Sequence, residues 1–398
     1  MTPDAEDVGG TDGQWWSLPA RHRGAVAVID LAAVTHNTAR MVAVAGGAAV
    51  MAVVKADAYG HGLVPCALAA QRGGATWLGT ALFEEAARLR DAGVGGPILT
   101  WLTGPGADWG SVLSRDIDVS VSAPWALAEV AAAAGRAGRP ARVHLKVDTG
   151  LSRAGSQPAD WPDLVGAAAK AQAQGAVDVV GVWSHLACAD TPDHPANPVA
   201  LQRFHDAVEL AHEAGLTPQV RHLANSAAAL ALPETRLDLV RPGIALYGIS
   251  PGEQVGTVAQ LGLRAAMTLR ARLALVKRVP AGEGVSYGHA YVTDRDTVLG
   301  LVPLGYGDGI ARSAANRGPV QVGSLRTSVV GRVCMDQVVV DLGPGSTARA
   351  GDEVVLFGDA RTGVPAAEDW GRATDSIGYE VVTRIGPRVP RAYVGGAA

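Results

Sequence analysis

The sequence predicts an α/β protein with an N-terminal (β/α)8 barrel of the TIM type, followed by a mostly antiparallel β domain. Its 398 residues exceed one average domain but suit a barrel of about 250 residues and a second domain. The hydrophobic fraction of 48% is enough for a large core. Short apolar runs alternate with helical stretches up to about residue 262, and strand-like alternation dominates afterwards.

Eight short runs rich in β-branched residues predict the barrel strands. Alanine-rich stretches with helical periodicity separate several of them and end in glycine, the usual C-cap. Eight such units favour a closed parallel barrel, with an open doubly wound sheet as the alternative. The predicted strands are MAVVKA (51–56), TWLGTA (76–81), PILTWL (97–102), IDVSVS (117–122), RVHLKVD (142–148), VDVVGVWSHL (177–186), VRHLAN (220–225) and DLVRPGIALYG (238–248). The predicted helices are FEEAARLRDAG (83–93), PWALAEVAAAAGRAG (124–138), WPDLVGAAAKAQAQG (161–175) and LQRFHDAVELAHEAG (201–215).

Three segments divide the chain in this prediction. Residues 1–23, which are acidic and glycine-rich, form a flexible N-terminal tail. Residues 24–262 form the barrel, and residues 263–398 form the C-terminal β domain, which opens with the alternating run MTLRARLALVKRV. The apolar run at 25–31 precedes the eight barrel strands and is a candidate additional strand of the C-terminal sheet.

Composition and charge exclude several classes of function. A net charge of −4 without basic runs argues against binding to nucleic acid or to a lipid surface. No run of about 18 apolar residues predicts a membrane span, and the N-terminus lacks the basic and apolar parts of a signal peptide. We therefore expect a cytoplasmic protein with a small-molecule partner. The scattered cysteines Cys66, Cys188 and Cys334 indicate no disulfide framework, and neither they nor the histidines have the spacing of a metal site.

Lysine is scarce in this sequence, and one of its four lysines lies at the end of the first predicted barrel strand. Arginine supplies nearly all the positive charge, whereas Lys55 follows the apolar run in MAVVKADAYGHG. A primary amine, unlike a guanidinium, forms a Schiff base with a carbonyl group. Lys55 is therefore a candidate for covalent attachment of a carbonyl compound.

Further polar residues follow the later predicted strands, at the barrel end where catalytic residues gather. The loops after strands seven and eight of such barrels often bind phosphate, and here they offer a serine hydroxyl and glycine amides. A lysine together with a phosphate site indicates pyridoxal 5′-phosphate as the cofactor. The residues at these strand ends are Arg153, His185, Asn225, Ser226, Arg241, Gly243 and Ile244.

Nine motifs extend this pattern over the chain from about residue 25 to its end. Through them the sequence resembles the alanine racemases, a family of fold-type III pyridoxal phosphate enzymes. Taken singly, Lys55, Ser226 and Tyr287 have plainer interpretations as a strand-end lysine, a helix N-cap and a turn aromatic, so only their joint placement favours a site. The motifs are AVVKADAYGHG, LKVDTGLSRAG, WSHLACAD, HLANSA, LVRPGIALYG, GVSYGHAYV, LGYGDG, GRVCMDQ and IGYE.

The resemblance implies how the barrel residues would hold the cofactor. Lys55 would carry it covalently, and Arg241 would face its pyridine nitrogen. Arg153 would hydrogen-bond the phenolic oxygen, and His185 would lie beside the ring and orient Arg241. The remaining residues implied at the cofactor, most of them at its phosphate, are Tyr59, Asn225, Ser226, Gly243, Ile244 and Tyr379.

The resemblance also implies the reaction. A homodimer would convert L-alanine to D-alanine and back with two bases, Lys55 and Tyr287 of the partner subunit, and so supply a peptidoglycan precursor. Lys146 would be an N6-carboxylysine that holds Arg153, against the plainer interpretation of a strand lysine beside Asp148. The implied substrate residues are Arg153, Met335, Asp336 and Tyr306. The implied access corridor comprises Tyr306, Arg312, Arg332 and Asp190, of which the last three could equally be surface ion-pairing residues.

Three alternatives remain open from the sequence. The chain could be a racemase of broader scope or one for serine. A fold-type III decarboxylase would present an acidic group to the pyridine nitrogen, where this chain has Arg241. A non-catalytic pyridoxal phosphate carrier would share the barrel and its lysine, but such carriers have one domain and lack the GVSYG segment around Tyr287.

Overall fold

A computed structural model describes residues 24 to 396, so the predicted tail at residues 1–23 lies outside the described residues. Most strands fall into two sheets, one parallel and one mostly antiparallel. The strands are β1 (Ala25–Asp30), β2 (Ala49–Val53), β3 (Trp77–Thr80), β4 (Ile98–Thr100), β5 (Asp118–Val121), β6 (Ala141–Lys146), β7 (Val177–Trp183), β8 (Val220–His222), β9 (Leu239–Val240), β10 (Met267–Arg272), β11 (Leu275–Val279), β12 (Gly284–Val285), β13 (Tyr291–Val292), β14 (Thr297–Val302), β15 (Pro319–Val322), β16 (Leu325–Val330), β17 (Val338–Asp341), β18 (Glu353–Phe357) and β19 (Arg391–Val394).

The helices lie mainly between the strands of the parallel sheet. All four predicted helices are present, and the glycine after each adopts a positive φ, as Gly138 does at 67°. Within the described residues, no helix is both long and apolar enough to cross a bilayer. The right-handed α-helices are Leu31–Ala45, Leu63–Arg72, Phe83–Asp91, Trp109–Ser114, Pro124–Ala137, Trp161–Ala173, Ala196–Glu213, Ser226–Ala231, Val258–Leu261, Ala367–Ala373 and Gly378–Thr383.

The eight parallel strands β2 to β9 form a barrel in the order β9-β2-β3-β4-β5-β6-β7-β8. Backbone hydrogen bonds close it between β8 and β9. The Asp238 amide donates to the Arg221 carbonyl at 3.2 Å, and the Arg241 amide donates to the Ala224 carbonyl at 2.9 Å. Each predicted strand run overlaps one of these strands, so the prediction of a closed barrel is confirmed against the open doubly wound sheet.

The second sheet has nine strands in the order β11-β14-β17-β16-β15-β18-β10-β1-β19. Neighbouring strands are antiparallel except for β1 and β19, and the prediction of a mostly antiparallel sheet is confirmed. In β10 the buried residues Met267, Leu269 and Ala271 alternate with partly exposed ones, as a sheet with one buried face requires. Strand β1, although it precedes the barrel in sequence, pairs with β10 and β19 in this sheet.

The two sheets meet beside the end of β2. The Arg391 guanidinium on β19 donates to the Gly60 carbonyl at 3.0 Å. A Cβ on Gly62 would lie only 1.9 Å from the Tyr393 hydroxyl oxygen, so this close approach requires glycine. The C-terminal sheet therefore supports the segment that follows β2, in which the functional lysine was predicted.

Candidate active site

Lys55 lies directly after β2, at the carboxyl end of the barrel strands. It is largely buried, and its Nζ lies 6.0 Å from the centre of the Tyr59 ring. Burial and the positive charge of Arg153 lower the pKa of Lys55, while Glu85 acts in the opposite direction. A lowered pKa increases the fraction of neutral amine, which is the form that attacks a carbonyl.

The segment after Lys55 is a left-handed turn made without glycine. Residues Ala56–Tyr59 have φ values of 53° to 55°, a conformation that costs L-residues about 1–2 kcal/mol each. The buried carboxylate of Glu85 stabilises it: one oxygen accepts from the Ala56 amide at 2.6 Å, and the other accepts from the Ala81 amide at 3.0 Å. Glu85 thereby joins the segment after β2 to the segment after β3.

His61 stabilises the other end of the same turn. Its Nδ1 lies 3.0 Å from each of the Ala58 and Tyr59 carbonyl oxygens, so this nitrogen carries the proton and donates. Burial lowers the pKa of His61 to about 4, and its neutral ring stacks on Tyr247 with centroids 4.6 Å apart. The lysine and Tyr59 are thus presented by a turn that buried polar groups hold at both ends.

Ser226, Gly243 and Tyr59 form a small polar cradle across the mouth. The Ser226 hydroxyl oxygen accepts from the Gly243 amide at 2.9 Å and from the Ala245 amide at 3.4 Å. A Cβ on Gly243 would lie 2.3 Å from the Tyr59 hydroxyl oxygen. Gly243 therefore allows this hydroxyl to reach the backbone beside Ile244, where a bound anion would meet hydroxyl and amide groups.

Two further predicted residues border this cradle. Asn225 caps the helix Ser226–Ala231, because its side-chain oxygen accepts from the Ala228 amide at 3.0 Å. Tyr379, on the helix Gly378–Thr383 of the C-terminal domain, has its ring 6.4 Å from the Tyr59 ring. Burial raises the pKa of both tyrosines, so their hydroxyls stay protonated and able to donate.

Arg241 is buried directly after β9 and is held in a single orientation. Its Nη2 donates to the Ser184 carbonyl at 2.6 Å and to the Leu223 carbonyl at 3.1 Å, and its Nη1 lies 3.1 Å from His222 Nδ1. The guanidinium carbon lies 4.8 Å from the centre of the Trp183 ring. Burial lowers the pKa of Arg241 to about 9, so the group is a cation at neutral pH.

The contacts of Arg241 continue through the barrel interior. His222 stacks on Trp183, and its Nε2 lies 2.9 Å from His144 Nδ1. His144 Nε2 lies 3.4 Å from the Asp118 carboxylate, which Arg142 binds through two hydrogen bonds of 2.8 and 3.1 Å. A continuous polar chain therefore links the mouth of the barrel to the beginning of β5.

His185 and Lys146 lie among the cations of the mouth. Arg241 Nη2 is 3.4 Å from His185 Nδ1. Burial, followed by the charges of Arg241 and Arg153, lowers the pKa of His185 to about 3, so the ring is neutral. Lys146 is buried with its Nζ 4.2 Å from the Trp183 ring centre, and burial lowers its pKa to about 8.

Three other predicted residues lie on an exposed face of the C-terminal domain. Tyr287, Met335 and Tyr306 have 71%, 52% and 42% of their surface exposed. Backbone hydrogen bonds join two of the segments that carry them: the Tyr306 amide donates to the Cys334 carbonyl at 3.0 Å, and the Gly307 amide donates to the Met335 carbonyl at 2.8 Å. We call the surface formed by Tyr287, Tyr306 and Met335 the outer face.

The structure thus divides the predicted site residues into two groups. Within the described residues, no hydrogen bond, ion pair or ring contact joins Tyr287, Tyr306 or Met335 to the barrel mouth. Asp336, next to the outer face, forms an ion pair with Arg388. The predicted corridor residues Arg312, Arg332 and Asp190 are exposed. The residues gathered at or around the mouth are Lys55, Tyr59, Lys146, Arg153, His185, Asn225, Ser226, Arg241, Gly243, Ile244 and Tyr379.

Several polar residues of the site were not found from the sequence. Glu85 had a recognisable signal, because it follows a predicted strand and stands in the first turn of a predicted helix. His61 is in a quoted motif, and His144, His222 and Asp118 are within quoted strands. Nothing in the local pattern indicates that His144 meets His222 or Asp118, because each pair is brought together only by closing the barrel.

Two protein-family models match the chain in succession. The model described as alanine racemase, N-terminal domain, matches residues 29–251, and the model described as alanine racemase, C-terminal domain, matches residues 266–393. The chain belongs to the alanine racemase family. The family therefore accounts for both the barrel and the antiparallel sheet, and the resemblance read from the motifs is confirmed.

Individual relatives agree over most of the chain. A curated alanine racemase from Frankia casuarinae is 57% identical over 368 residues, covering 92% of this chain and 96% of the relative. A crystal structure of alanine racemase from D-cycloserine producing Streptomyces lavendulae is 59% identical, with a TM-score of 0.93 over 94% of this chain and 98% of that one. The alanine racemase of Streptomyces coelicolor A3(2) is 56% identical, with a TM-score of 0.92 and coverages of 94% and 98%. Family membership at this identity confirms that the chain is an amino-acid racemase.

Proposed function

We propose that the chain interconverts L- and D-alanine with pyridoxal 5′-phosphate, in a homodimer whose active sites contain residues of both subunits. The single observation that supports this most directly is the position of Lys55. It is a largely buried amine of lowered pKa, beside Arg153 and opposite a cradle of hydroxyl and amide groups. Relatives more than 55% identical are alanine racemases, which supports alanine as the substrate.

The residues present fit pyridoxal phosphate at both of its ends. The aldehyde requires an amine that can be neutral, and Lys55 provides one. The phosphate requires hydrogen-bond donors around a concave stretch of backbone. Such donors are provided by Tyr59, Ser226 and the segment beginning at Gly243. A Cβ at position 243 would block the place that the Tyr59 hydroxyl occupies. Ile244 and Tyr379 would complete the phosphate site. Asn225 would keep the helix that carries Ser226 in place.

Arg241 and Arg153 would recognise the cofactor ring. An arginine donates hydrogen bonds but cannot accept them, so Arg241 would leave the pyridine nitrogen unprotonated. Its contacts with Ser184, Leu223 and His222 fix the guanidinium, so no reorientation is needed when the ring binds. Neutral His185 would lie beside the ring and contact Arg241, and Arg153 would donate to the phenolic oxygen.

Two bases would move the α-hydrogen of the substrate. When bound, pyridoxal phosphate makes that hydrogen acidic by delocalising the electron pair left on carbon. Lys55 Nζ would take or return the proton on one face of the substrate. The hydroxyl oxygen of Tyr287 of the partner subunit would do so on the other face, because inversion requires removal and return on opposite sides.

The homodimer is proposed because the outer face is exposed in one chain. Large hydrophobic residues exposed together indicate a surface that another molecule covers. A second copy covering it would bring Tyr287, Met335, Asp336 and Tyr306 to the mouth of the neighbouring barrel. Met335 and Asp336 would then border the substrate carboxylate, which Arg153 would also contact.

Three further features belong to this proposal. We place the domain boundary near residue 262, between the segments that the two family models match. The access corridor would be formed by Tyr306, Arg312, Arg332 and Asp190. The enzyme would act in the cytoplasm, where D-alanine would serve as a peptidoglycan precursor.

Reduction with borohydride tests the cofactor assignment. The enzyme loaded with pyridoxal phosphate should give a reduced adduct on Lys55 that peptide mass spectrometry locates. The Lys55→Ala variant should give no adduct, while the control Lys277→Ala, which removes an exposed lysine on β11, should behave like the native enzyme. An adduct on Lys277 in the native enzyme would contradict the assignment.

A panel of L-amino acids tests the substrate and the reaction. Each amino acid is assayed for loss of optical activity with and without cofactor. The result separates a racemase for alanine, for serine or for several amino acids from a decarboxylase and from a carrier.

Mixing of subunits tests the shared site. Lys55→Ala and Tyr287→Phe homodimers should each be inactive. After random exchange, about half of the dimers are mixed and each has one native site, so about a quarter of the native sites should return. Inactive mixtures, with exchange demonstrated by mass spectrometry, would exclude a site shared between subunits.

A further inference from the structure

We propose that Ser286 is a positioning residue whose strained backbone and tethered hydroxyl aim the Tyr287 side chain at the neighbouring subunit's substrate. This inference rests on the proposed role of Tyr287 as the second base. It assigns to Ser286 a task that packing within the same chain does not perform, because Tyr287 is exposed there.

Tyr287 has almost no support from its own chain. Its side chain is 71% exposed, and no ring contact or hydrogen bond involving it is present among the described residues. An exposed side chain without neighbours takes its direction from the backbone that carries it. The geometry of the segment around Tyr287 therefore decides where the phenol points.

That backbone is strained immediately before the tyrosine. Ser286 has φ 62° and ψ −172°, a combination found almost only in glycine. His289 also has a positive φ, 46°, and its amide donates to the Ser286 carbonyl at 3.2 Å. Strain of this kind persists only where the surrounding structure enforces it.

The Ser286 side chain supplies that enforcement. Its hydroxyl donates to the Arg332 carbonyl at 2.7 Å, and its oxygen lies 3.3 Å from Cys334 Sγ. A Cβ on Gly331 would lie 2.9 Å from the Ser286 Cβ and 2.7 Å from the Val285 carbonyl oxygen. The glycine thus allows the two segments to approach closely enough for this hydrogen bond.

The same tether joins two parts of the outer face. Arg332 and Cys334 lead directly into Met335, while Ser286 leads into Tyr287. The Tyr306 amide donates to the Cys334 carbonyl at 3.0 Å, so the segment that carries Tyr306 is bound to the segment that carries Met335. The Ser286 hydroxyl is therefore a side-chain link, directly beside the proposed base, that holds it at a fixed position relative to the other exposed residues.

Two variants separate the tether from the strain. Ser286→Ala removes the hydroxyl and keeps a side chain in the strained conformation. Ser286→Gly removes both, and it should unfold at a temperature no lower than the native enzyme because glycine adopts this backbone freely. Both should lower kcat/KM for alanine about 10- to 100-fold, the range expected when a reacting group is displaced by about 1 Å. The control is Thr327→Val, which removes another 2.7 Å hydroxyl-to-carbonyl bond in the same domain, between β16 and β17, and should leave kcat/KM unchanged.

Isotope effects with α-deuterated L- and D-alanine identify which base is affected. Each base removes the α-hydrogen of one enantiomer, so a displaced Tyr287 should raise the primary isotope effect for one enantiomer and lower it for the other. A change in the same direction for both enantiomers, or unchanged kcat/KM in Ser286→Gly, would overturn the inference. Tyr287→Phe is assayed in parallel: full activity of that variant would refute the second base itself, and the inference with it. An inactive Tyr287→Phe beside a fully active Ser286→Ala would refute the role of Ser286 alone.

Discussion

His222 Nε2 lies 2.9 Å from His144 Nδ1 in the interior of the barrel. Because Arg241 can only donate, the His222 Nδ1 that faces it must accept, and the proton of His222 must be on Nε2. His144 Nδ1 then accepts, and His144 Nε2 donates to the Asp118 carboxylate. One donor at the mouth thus fixes the tautomers of two buried histidines, and the chain ends on an anion.

We expect Asp118 to stabilise this chain from its far end. Asp118→Ala leaves the buried Nε2–H of His144 without an acceptor, which should cost about 1–3 kcal/mol in the free energy of unfolding. Without the anion, the His144 ring loses the acceptor that holds it, so His222 and Arg241 next along the chain should be less well oriented and kcat should fall. Denaturant unfolding and steady-state kinetics measure the two effects.

Asp178 provides the matched control, since it is the second carboxylate beside Arg142, at 3.8 Å, and is only partly buried. Asp178→Ala should change the free energy of unfolding by no more than about 0.5 kcal/mol. Equal losses in the two variants would show that Arg142, and not His144, accounts for the effect.

We expect Glu85 to stabilise the left-handed turn after Lys55. Its carboxylate accepts from three backbone amides, those of Ala56, Ala81 and Leu82. Glu85→Gln replaces one accepting oxygen by an NH2 group that faces a donor, so at least one buried donor loses its partner. The expected loss in the free energy of unfolding is about 1–3 kcal/mol, with weaker binding of pyridoxal phosphate.

Its neighbour offers a direct comparison, because Glu84 stands in the same helical turn but is exposed. Glu84→Gln should leave both quantities nearly unchanged. If the Glu85 and Glu84 variants bind the cofactor equally well, the turn does not depend on the Glu85 carboxylate.

We expect Gly243 to be required for the Tyr59 hydroxyl to reach its place. Gly243→Ala inserts a methyl group where only 2.3 Å separates it from that oxygen, so the tyrosine must move. The affinity for pyridoxal phosphate, measured by absorbance titration, should fall about tenfold, corresponding to about 1.4 kcal/mol of the usual overpacking cost.

A second glycine serves as the control for this substitution. Gly166 lies in the helix Trp161–Ala173 with no atom within 4 Å of the added methyl group. Gly166→Ala should stabilise the helix by about 0.5–1 kcal/mol and leave cofactor affinity unchanged. An unchanged affinity in Gly243→Ala would show that Tyr59 does not contribute to the phosphate site.

We expect Lys146 to bind carbon dioxide. Its pKa of about 8 leaves part of the amine neutral at neutral pH, and among the described carboxylates none forms an ion pair with it. The neutral amine adds CO2, which forms an N–C bond and releases one proton from the nitrogen. Counting the proton that the ammonium group loses first, two protons leave as the cation becomes a carbamate anion among Arg241 and Arg153. After equilibration with 13C-bicarbonate, the native enzyme should show a carbamate 13C NMR signal that Lys146→Met lacks and that Lys170→Met, which changes an exposed helix lysine, retains.

The unmodified Lys146 should make the free energy of unfolding depend on pH. Its pKa is lowered from 10.5 to about 8 in the folded state, so between these values the unfolded state binds more protons than the folded state. Stability should therefore rise by about 3 kcal/mol from pH 8 to pH 10.5 in CO2-free buffer. Lys146→Met should lack this rise. A native enzyme that shows neither the carbamate signal nor this rise would contradict the environment described for Lys146.

The residues at the barrel mouth could be predicted because they lie at the carboxyl ends of strands, and each strand is recognisable from its local sequence. Lys55, Arg153, His185 and Arg241 each follow a run that is recognisably a strand, and parallel strands in a barrel end on the same side. The apolar run before the barrel predicts a strand of the second sheet, although only tertiary pairing places β1 between β10 and β19.

Other features depend on contacts that no local pattern contains. The segment Ala56–Tyr59 has no glycine and includes two alanines, the best helix formers. It nevertheless adopts the left-handed conformation because Glu85 and His61 bind its two ends. Whether His144 meets His222 depends on the stagger of β6, β7 and β8 around the barrel.

The sequence by itself therefore determined the order of strands and helices, the two sheets and the set of polar residues at the strand ends. These features follow from which residues must be buried along each element, because the spacing of the apolar residues indicates the buried face. The tertiary structure alone decided the handedness of the turn after Lys55, the partners of the buried histidines and the exposure of Tyr287. Each of these depends on groups distant in sequence, whose meeting is set by how the elements pack.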